Sequence, residues 1–260
     1  MITHNFDPVV FSIGPLNVYW YSLAYIAGVF FVIYWLRYLA KRDVVDYTKK
    51  QIEDYAFFLI SGVVIGARLF MFVWEPAYYF SNPLEIFMIW KGGMSFHGGL
   101  VGIVVANYLW CRKHKWDMWR MADYAAAPIM ASLALGRIAN FINGELLGRA
   151  TSVPWCVVYN GVEGCRHPST LYAAGKRFII TGWLFWLNVR SIVHAWTPGF
   201  IFWNFVFWDG VTRLILDVFR EDVLYYGLSK GQWMCVVMVI VSVYMFARYY
   251  KDDWKRLLKR

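Results

Sequence analysis

The stretch from Gly136 to Arg149 reads GRIANFINGELLGR and closes a run of residues that otherwise suits a lipid bilayer. Five of its fourteen residues are polar or charged: Arg137, Asn140, Asn143, Glu145 and Arg149. Snorkelling toward the membrane surface would explain one arginine, but not five polar groups. Helical spacings of three and four place Arg137, Asn140 and Gly144 on one face. This signature stretch therefore predicts the polar, anion-holding wall of a pocket at membrane depth.

Composition indicates a polytopic membrane protein. Hydrophobic residues make up 60% of the 260 residues and charged residues 17%, whereas soluble domains have about 45–50% apolar and about 25% charged residues. The apolar residues recur in blocks along the chain, which predicts a single membrane domain over residues 1–260. The formal charge of +9 does not indicate nucleic acid as a partner, because the basic residues lie between apolar blocks. The first block lacks signal-peptide flanks and is expected to be a retained span.

Seven apolar blocks approach the roughly 20 residues that a helix needs to cross the hydrocarbon core. They are Val18–Ala40, Ala56–Trp74, Phe96–Trp110, Tyr124–Leu147, Phe178–Val193, Phe200–Phe219 and Trp233–Tyr249. The predicted fold class is therefore an all-α integral membrane protein with about seven transmembrane helices. The segment Pro83–Trp90 is too short to span and is compatible with a short re-entrant helix.

Loop charges predict the orientation of these spans. Lys and Arg cluster between the first two spans, between the third and fourth, and after the seventh. Because positive loops stay in the cytoplasm, the N-terminus is expected outside and the C-terminus inside. The fifth loop fits this rule weakly, since only Arg190 lies nearby. The segment 148–176 is then a small outer loop or cap.

The cysteines leave one question open. Cys156 and Cys165 lie in the predicted outer segment, where a disulfide is chemically allowed in an oxidising compartment. Two reduced thiols remain the default expectation, because sequence alone does not fix the geometry that a disulfide needs. Histidine, cysteine and acidic residues do not occur at metal-ligand spacing, so neither a metal nor another cofactor is expected.

A glycine-rich segment surrounds one histidine at the mouth of the third predicted span. It reads GGMSFHGGLVG from Gly92 to Gly102, with His97 at its centre. A histidine of near-neutral pKa can accept a proton, which is the functional interpretation. Alternatively, the glycines serve close helix packing, as small residues often do in membranes, and His97 caps a carbonyl group.

Arg213 lies midway along the sixth predicted span, where an arginine needs a partner. Asp209 one turn earlier, Asp217 one turn later, or an anionic ligand would each satisfy it. The segment RHPSTLY, residues 166–172, precedes the fifth span. Its His167 is either a second polar ligand group or part of a loop-to-helix entry with Pro168 near the first turn.

These motifs together resemble the bacterial prolipoprotein diacylglyceryl transferases. GRIANFINGELLGR is similar to the signature of that family, MSFHGGLVG to its HGG segment, and RHPSTLY to its HPSQLYE element. Tyr19, Trp20 and Tyr21 near the start and Arg213 near the end extend the resemblance through most of the chain. It implies a multi-pass enzyme of the bacterial inner membrane.

The resemblance also implies a reaction and roles. The diacylglyceryl group of phosphatidylglycerol moves to the thiol of a lipobox cysteine in a preprolipoprotein, and glycerol phosphate leaves. The implied roles are phosphate binding for Arg137 and Arg213, pocket formation for Asn140, Asn143 and Gly148, orientation of neighbours for Glu145, and positions at the reacting centre for Tyr21 and His97. By residue type, His97 is the best candidate base for a thiol whose ordinary pKa is about 8.5.

Departures from the family pattern keep alternatives open. Thr170 and Ala173 replace the usual Gln and Glu of HPSQLYE, Tyr19 replaces a frequent His, and Asp209 replaces a frequent Tyr. Asp209 is expected either to pair with Arg213 and weaken phosphate binding, or to act as a base. A non-catalytic lipid-binding paralogue is therefore a second hypothesis. A small anion transporter is a third, although the sequence shows no internal repeat.

Overall fold

The computed structural model describes residues 2–14, 16–88 and 93–259, and the chain is mostly helical, at 69%. Contacts divide it into two compact units. Unit 1 combines Met1–Val32 with Ala122–Arg260, and unit 2 is Ile33–Met121. The predicted single domain over residues 1–260 stays a prediction.

Unit 2 is built from helices that follow the first span. Helix α1 (Trp20–Lys41) enters it, followed by α2 (Lys49–Leu69), α3 (Met71–Trp74), α4 (Pro76–Ser81), a 3-10 turn (Pro83–Phe87) and α5 (Phe96–His114). Thr48 and Gln51 form a capping box that satisfies backbone donors at the start of α2. The 3-10 turn lies within Pro83–Trp90, the segment for which a short re-entrant helix is compatible with the sequence. Residues 89–92, Gly92 included, lie outside the described residues.

Glycines allow α2 and α5 to pack backbone against backbone. A Cβ atom at Gly66 would collide with the carbonyl of Gly98, and one at Gly102 would collide with the carbonyl of Gly62. These four residues form two small-xxx-small pairs, the pattern that permits close helix approach in membranes. The packing interpretation is therefore confirmed for Gly98 and Gly102 of the glycine-rich segment.

Unit 1 contains α6 (Met118–Ile142) from Ala122 onward, together with α7 (Ser169–Ser191), α8 (Phe200–Leu216), α9 (Lys230–Tyr249) and α10 (Lys251–Leu258). Its buried core includes Met130, Leu184 and Phe200. Fully buried Asp123 of α6 accepts hydrogen bonds from the backbone N–H groups of Gly199 and Phe202, both at 2.8 Å. These bonds satisfy donors at the start of α8 and fix α8 against α6.

Short strands accompany the helices of unit 1. Strand β1 (Ile2–His4) pairs in parallel with β4 (Val157–Tyr159), which pairs with β5 (Cys165–Arg166). The hairpins β2–β3 (Val9–Ile13 and Leu16–Tyr19) and β6–β7 (Leu224–Tyr225 and Leu228–Ser229) precede α1 and α9. The prediction of an all-α protein therefore omits these small sheets.

A disulfide joins Cys156 to Cys165, with Cα atoms 5.6 Å apart. The default expectation of two reduced thiols is therefore wrong. It failed because the β4–β5 pairing, which sets Val158 opposite Cys165, brings the two cysteines to bonding distance, and no local sequence pattern reveals this pairing.

Among the described residues, four helical segments are long and apolar enough to cross a membrane: Trp20–Lys41, Lys49–Trp74, Met118–Ile142 and Lys230–Tyr249. They carry the first, second, fourth and seventh predicted spans. The other three predicted spans lie on α5, α7 and α8, and their membrane crossing stays a prediction. Many large apolar side chains face outward, such as Phe57 at 73% exposure, as expected of a protein surrounded by lipid.

Two predicted span boundaries are wrong. The fourth span was expected to continue to Leu147, but α6 ends at Ile142 because Gly144 and Leu146 adopt positive φ angles of 69° and 55°. Gly144 therefore does not share a helical face with Arg137. The fifth span was expected to start at Phe178, but α7 already begins at Ser169, within the predicted outer segment.

Candidate functional site

The end of α6 holds a chain of polar contacts made by the signature stretch. Arg137 Nη1 donates to Asn140 Oδ1 at 3.4 Å, and the amide of Asn140 donates to Glu145 Oε2 at 2.8 Å. The amide of Asn143 donates to the other carboxylate oxygen of Glu145 at 3.2 Å. One carboxylate beyond the helix end thus orients both asparagines, and Asn140 in turn orients Arg137.

Arg137 lines a pocket in unit 1 between α6, α7 and α8. Its lining is strongly cationic. Five basic side chains line it: Arg137, Lys176, Arg177, Arg213 and Arg220. Such a cluster has the chemistry of an anion site, and arginines in particular bind phosphate or carboxylate oxygens in pairs.

Carboxylates pair with four of these five cations. Asp209 Oδ1 lies 3.0 Å from Lys176 Nζ and 3.3 Å from Arg177 Nε. Arg213 Nε lies 3.0 Å from Asp217 Oδ2, and Arg220 Nη2 lies 3.1 Å from Asp222 Oδ1. Three carboxylates for five cations leave the pocket with an excess of positive charge.

Arg137 differs from the other four cations of the pocket. Within residues 2–14, 16–88 and 93–259, no carboxylate lies at ion-pair distance from it. Tyr21 and Tyr25 of α1 lie close enough to interact with its charge, and their rings make an edge-to-face contact at 5.0 Å. Arg137 therefore keeps its charge available for an anionic ligand.

Two segments close the pocket near the start of α7. The hydroxyl of Ser169 donates to the carbonyl of Leu146 at 2.9 Å, which joins α7 to the signature stretch. Gly148 lies against the carbonyl of His167, where a Cβ atom would clash. His167 itself contacts the hydroxyl of Tyr172 through Nδ1 at 3.2 Å. Its contacts are those of a loop-to-helix entry.

His97 is the second residue of α5 and belongs to unit 2. The side chain is exposed, and its ring lies 6.0 Å from that of Trp74. Ser95, the N-cap residue of α5, accepts hydrogen bonds from the backbone of Gly98 and from Trp74 Nε1. These contacts fix the helix start that carries His97.

A family model described as prolipoprotein diacylglyceryl transferase matches residues 8–248. The chain belongs to the prolipoprotein diacylglyceryl transferase family. Relatives that carry the name phosphatidylglycerol–prolipoprotein diacylglyceryl transferase extend over nearly the whole chain. The relative from Dechloromonas aromatica is 39% identical over 266 residues, which cover 96% of this chain and 98% of the relative.

Two further relatives of the same name agree. The one from Bordetella parapertussis is 40% identical over 252 residues, covering 92% of this chain and 95% of the relative. The one from Wolbachia pipientis subsp. Culex pipiens is 36% identical over 254 residues, covering 93% and 94%. The resemblance of the motifs to this family is thus confirmed.

The structure shows which cations Asp209 pairs with in this member of the family, and a role for Asp209 as a base stays a prediction. Asp209 is paired with two cations of α7, while Asp217 pairs with Arg213. The expectation that Asp209 would occupy Arg213 is therefore wrong. Asp209 pairs elsewhere because Lys176 and Arg177 project toward it from the neighbouring helix α7. Spacing along α8 does not reveal these partners.

Four residues in or beside the candidate site have no role in the sequence-based predictions. The predicted outer segment 148–176 contains Lys176, and Arg177 has no predicted role, although a basic pair beside an unexplained Asp209 is an available signal. Thr170 was noted only as a departure. His4 had no signal at all, because its Nε2–H donates to the carbonyl of Phe141 at 2.7 Å across 137 residues.

His4 supports the signature stretch from the side of the strands. Its ring lies 4.8 Å from that of Tyr159, and a Cβ atom added at Gly144 would lie 3.4 Å from it. Burial raises the pKa of the Tyr159 phenol, so this ring stays neutral and serves as a packing surface. The carbonyl of Phe141 also accepts a hydrogen bond from the backbone N–H of Gly144 at 3.0 Å, so the bond from His4 is its second and ties the strand to the turn after α6.

Proposed function

We propose that this chain transfers the diacylglyceryl group of phosphatidylglycerol to the cysteine thiol of a preprolipoprotein. The membership of the family and the names of its relatives support this activity. The observation that carries it in the structure is the cationic pocket at the end of α6, in which Arg137 has no carboxylate partner within the described residues. A lipid phosphate is the anion that such a pocket would meet in a membrane.

The proposed step is an alkyl transfer. The thiolate forms a sulfur–carbon bond to the glyceryl carbon of the lipid, and the bond from that carbon to the phosphate oxygen breaks. The electron pair leaves with the phosphate, so glycerol phosphate gains negative charge. Arg137 and Arg213 are proposed to hold the phosphate and to stabilise that charge.

The remaining residues take supporting roles in this proposal. Glu145 orients Asn140 and Asn143, and Asn140 orients Arg137, as their hydrogen bonds suggest. Gly148 allows the signature stretch to approach the entry to α7. Tyr21 lies beside Arg137 and is proposed to contact the substrate. His97 is proposed, by residue type, to accept the thiol proton.

Purified protein tests this function directly. Protein in detergent is incubated with phosphatidylglycerol and a lipobox peptide, and glycerol phosphate release and peptide lipidation are measured together. We expect both products in equal amounts. Well-folded protein that releases neither would refute the enzyme, and lipid binding without turnover would favour the non-catalytic paralogue. Anion flux in liposomes without lipid turnover would favour the transporter.

A His97→Gln variant tests the base separately. It removes the basic ring nitrogen and keeps a polar side chain of similar length. We expect transfer to fall steeply at neutral pH and to recover partly at higher pH, where more of the substrate thiol is ionised. An unchanged rate at neutral pH would assign the proton to another acceptor.

We further propose seven spans in the bacterial inner membrane, with the N-terminus and the segment 148–176 on the periplasmic side. The helices under all seven predicted segments and the basic clusters of alternate loops support this topology. Single cysteines at Val223 and Lys113, both exposed, test it with a membrane-impermeant maleimide. In spheroplasts, whose outer membrane has been removed, we expect the maleimide to label a cysteine at position 223 and not a cysteine at position 113. The reverse pattern would invert the topology.

A further inference from the structure

Two neighbouring hydroxyl groups in the first turn of α7 differ in their hydrogen bonding. Ser169 uses its hydroxyl on the carbonyl of Leu146. Thr170 is only 3% exposed, and its Oγ1 is buried without a hydrogen-bond partner among the residues that the structure describes. A buried hydroxyl left unpaired is unfavourable, so Thr170 calls for an explanation that folding alone does not supply.

Thr170 lines the cationic pocket together with Arg137 and Arg213. It also lies at the N-terminal end of a helix of 23 residues, where the helix dipole favours negative charge. Ala173, one turn later on the same face, also lines the pocket with a small side chain. The unpaired group therefore lies where an anion would be held.

The charge of the pocket indicates which hydrogen bond Thr170 would make. A hydroxyl group can donate or accept, but five cations around the pocket disfavour a positively charged donor as its partner. An anionic oxygen is attracted by the same cations and accepts the proton of the hydroxyl. Hydrogen bonds to charged acceptors are also the stronger kind.

We propose that the Thr170 hydroxyl donates a hydrogen bond to a phosphoryl oxygen bound in this pocket, and that Thr170 thereby determines affinity for the anionic headgroup. The identity of the ligand as a phospholipid rests on the proposed function. The phosphoryl chemistry rests on the pocket alone, and a free phosphate ester would make the same contact.

Thr170→Val removes the hydroxyl and preserves the shape of the side chain, whereas Thr170→Ser keeps the hydroxyl. In the transfer assay, we expect Thr170→Val to raise the KM for phosphatidylglycerol about tenfold, as for loss of one hydrogen bond to a charged group. The kcat should change much less if substrate and transition state share this contact. Thr170→Ser should stay near wild type. Thr170→Ala serves as a second truncation if the valine variant folds poorly.

Thr181→Val is the matched control on the same helix. Its hydroxyl is buried and donates to the carbonyl of Arg177 at 2.8 Å, outside the lining of the pocket. This variant should lose some thermal stability without a rise in KM. A purely structural role for Thr170 would instead give the control pattern, with an altered unfolding temperature and an unchanged KM.

A binding measurement separates this proposal from the proposed function. Thermal unfolding of detergent-solubilised protein is followed with inorganic phosphate, glycerol phosphate or phosphatidylglycerol. We expect glycerol phosphate to protect wild type and to protect Thr170→Val less at equal concentration. If the wild-type protein does not catalyse transfer but this difference in protection persists, the proposed enzymatic function is refuted and the proposed phosphoryl site is retained. Protection by the free phosphates but not by the lipid would identify a soluble phosphate as the ligand.

Two results would overturn the proposal. One is an unchanged KM together with unchanged protection in Thr170→Val. The other is a wild-type protein that none of the three phosphates protects, because the pocket would then hold no phosphoryl group.

Discussion

Arg213 Nε lies 3.0 Å from the carboxylate of Asp217, one turn further along, while Asp209, one turn earlier, lies 3.0 Å from Lys176 Nζ. Two aspartates at equivalent spacings from one arginine therefore have different partners. Asp209 holds two cations of α7 in place, and Arg213 stays at the pocket with its charge partly balanced by Asp217.

The partners of Asp209 predict a large loss of stability when its charge is removed. Asp209→Asn would leave buried Lys176 and Arg177 without their carboxylate. We expect a loss of about 3–5 kcal/mol, as for other broken buried ion pairs, measured as unfolding in detergent. Lys176→Met should be milder, because Arg177 still pairs with Asp209. Equal stability of Asp209→Asn and wild type would show that the two cations do not depend on it.

Replacing Arg137 is expected to reduce activity strongly and stability little, the reverse of the emphasis for Asp209. Arg137→Ala removes a cation that leaves no carboxylate unpaired within the described residues, so the unfolding temperature should change little. Transfer should fall at least about 100-fold in kcat/KM, as for loss of a donor that stabilises developing charge. Arg137→Lys keeps the charge but not the paired donors, and should retain part of the activity. Arg190→Ala, which only removes a guanidinium stacked 4.7 Å above Trp186, is the control.

The sequence predicted helices where apolar length decides the structure. The sixth span, Phe200–Phe219, matches α8 and the 3-10 turn that follows it, because Gly199 and Arg220 bound the apolar run. The prediction is wrong for the start of α7, whose first three turns contain Lys176 and Arg177. A basic pair at the edge of an apolar run resembles a loop when considered alone, whereas in the structure both residues are helical and pair with Asp209.

The candidate site was predictable in its residue types but not in its pairing. The polar cluster of the signature stretch indicated an anionic ligand, and the structure places Arg137 and Arg213 on one pocket. Arg213 pairs with Asp217 because Asp209 is paired with two cations of a second helix, α7. The burial of the Thr170 hydroxyl also depends on tertiary packing that the sequence does not show. Likewise, the turn at Gly144 depends on backbone angles that helical spacing ignores.

The contact between α2 and α5 predicts strong sensitivity to a single methyl group. Gly102→Ala would place a Cβ atom against the carbonyl of Gly62 and force the helices apart. We expect a loss of about 1–3 kcal/mol, as for other overpacked interiors, seen as a lower unfolding temperature. Gly182→Ala, on a helix surface with open space around it, should be neutral or slightly stabilising. Equal behaviour of the two variants would contradict the close packing.

The disulfide predicts a redox-dependent stability. Replacing Cys156 and Cys165 together by Ser opens a loop of nine residues, which should lower the free energy of unfolding by about 2–3 kcal/mol. Reductant should lower the unfolding temperature of wild type toward that of the variant and leave the variant unchanged. The remaining cysteines, Cys111 and Cys235, are free and buried, so a response of the variant to reductant would point to them instead.

The bond from His4 to Phe141 and the pairing of Ile2 with Val157 also constrain the order of events during synthesis. His4 leaves the ribosome long before the end of α6 and β4 exist, so its partners arrive only after most of the membrane helices have been made. Closing so long a segment is a slow, non-local step. We therefore expect the turn that carries Glu145 to reach its final conformation late. A bulky fusion placed ahead of Ile2 would disturb this turn, although the two are far apart in the sequence.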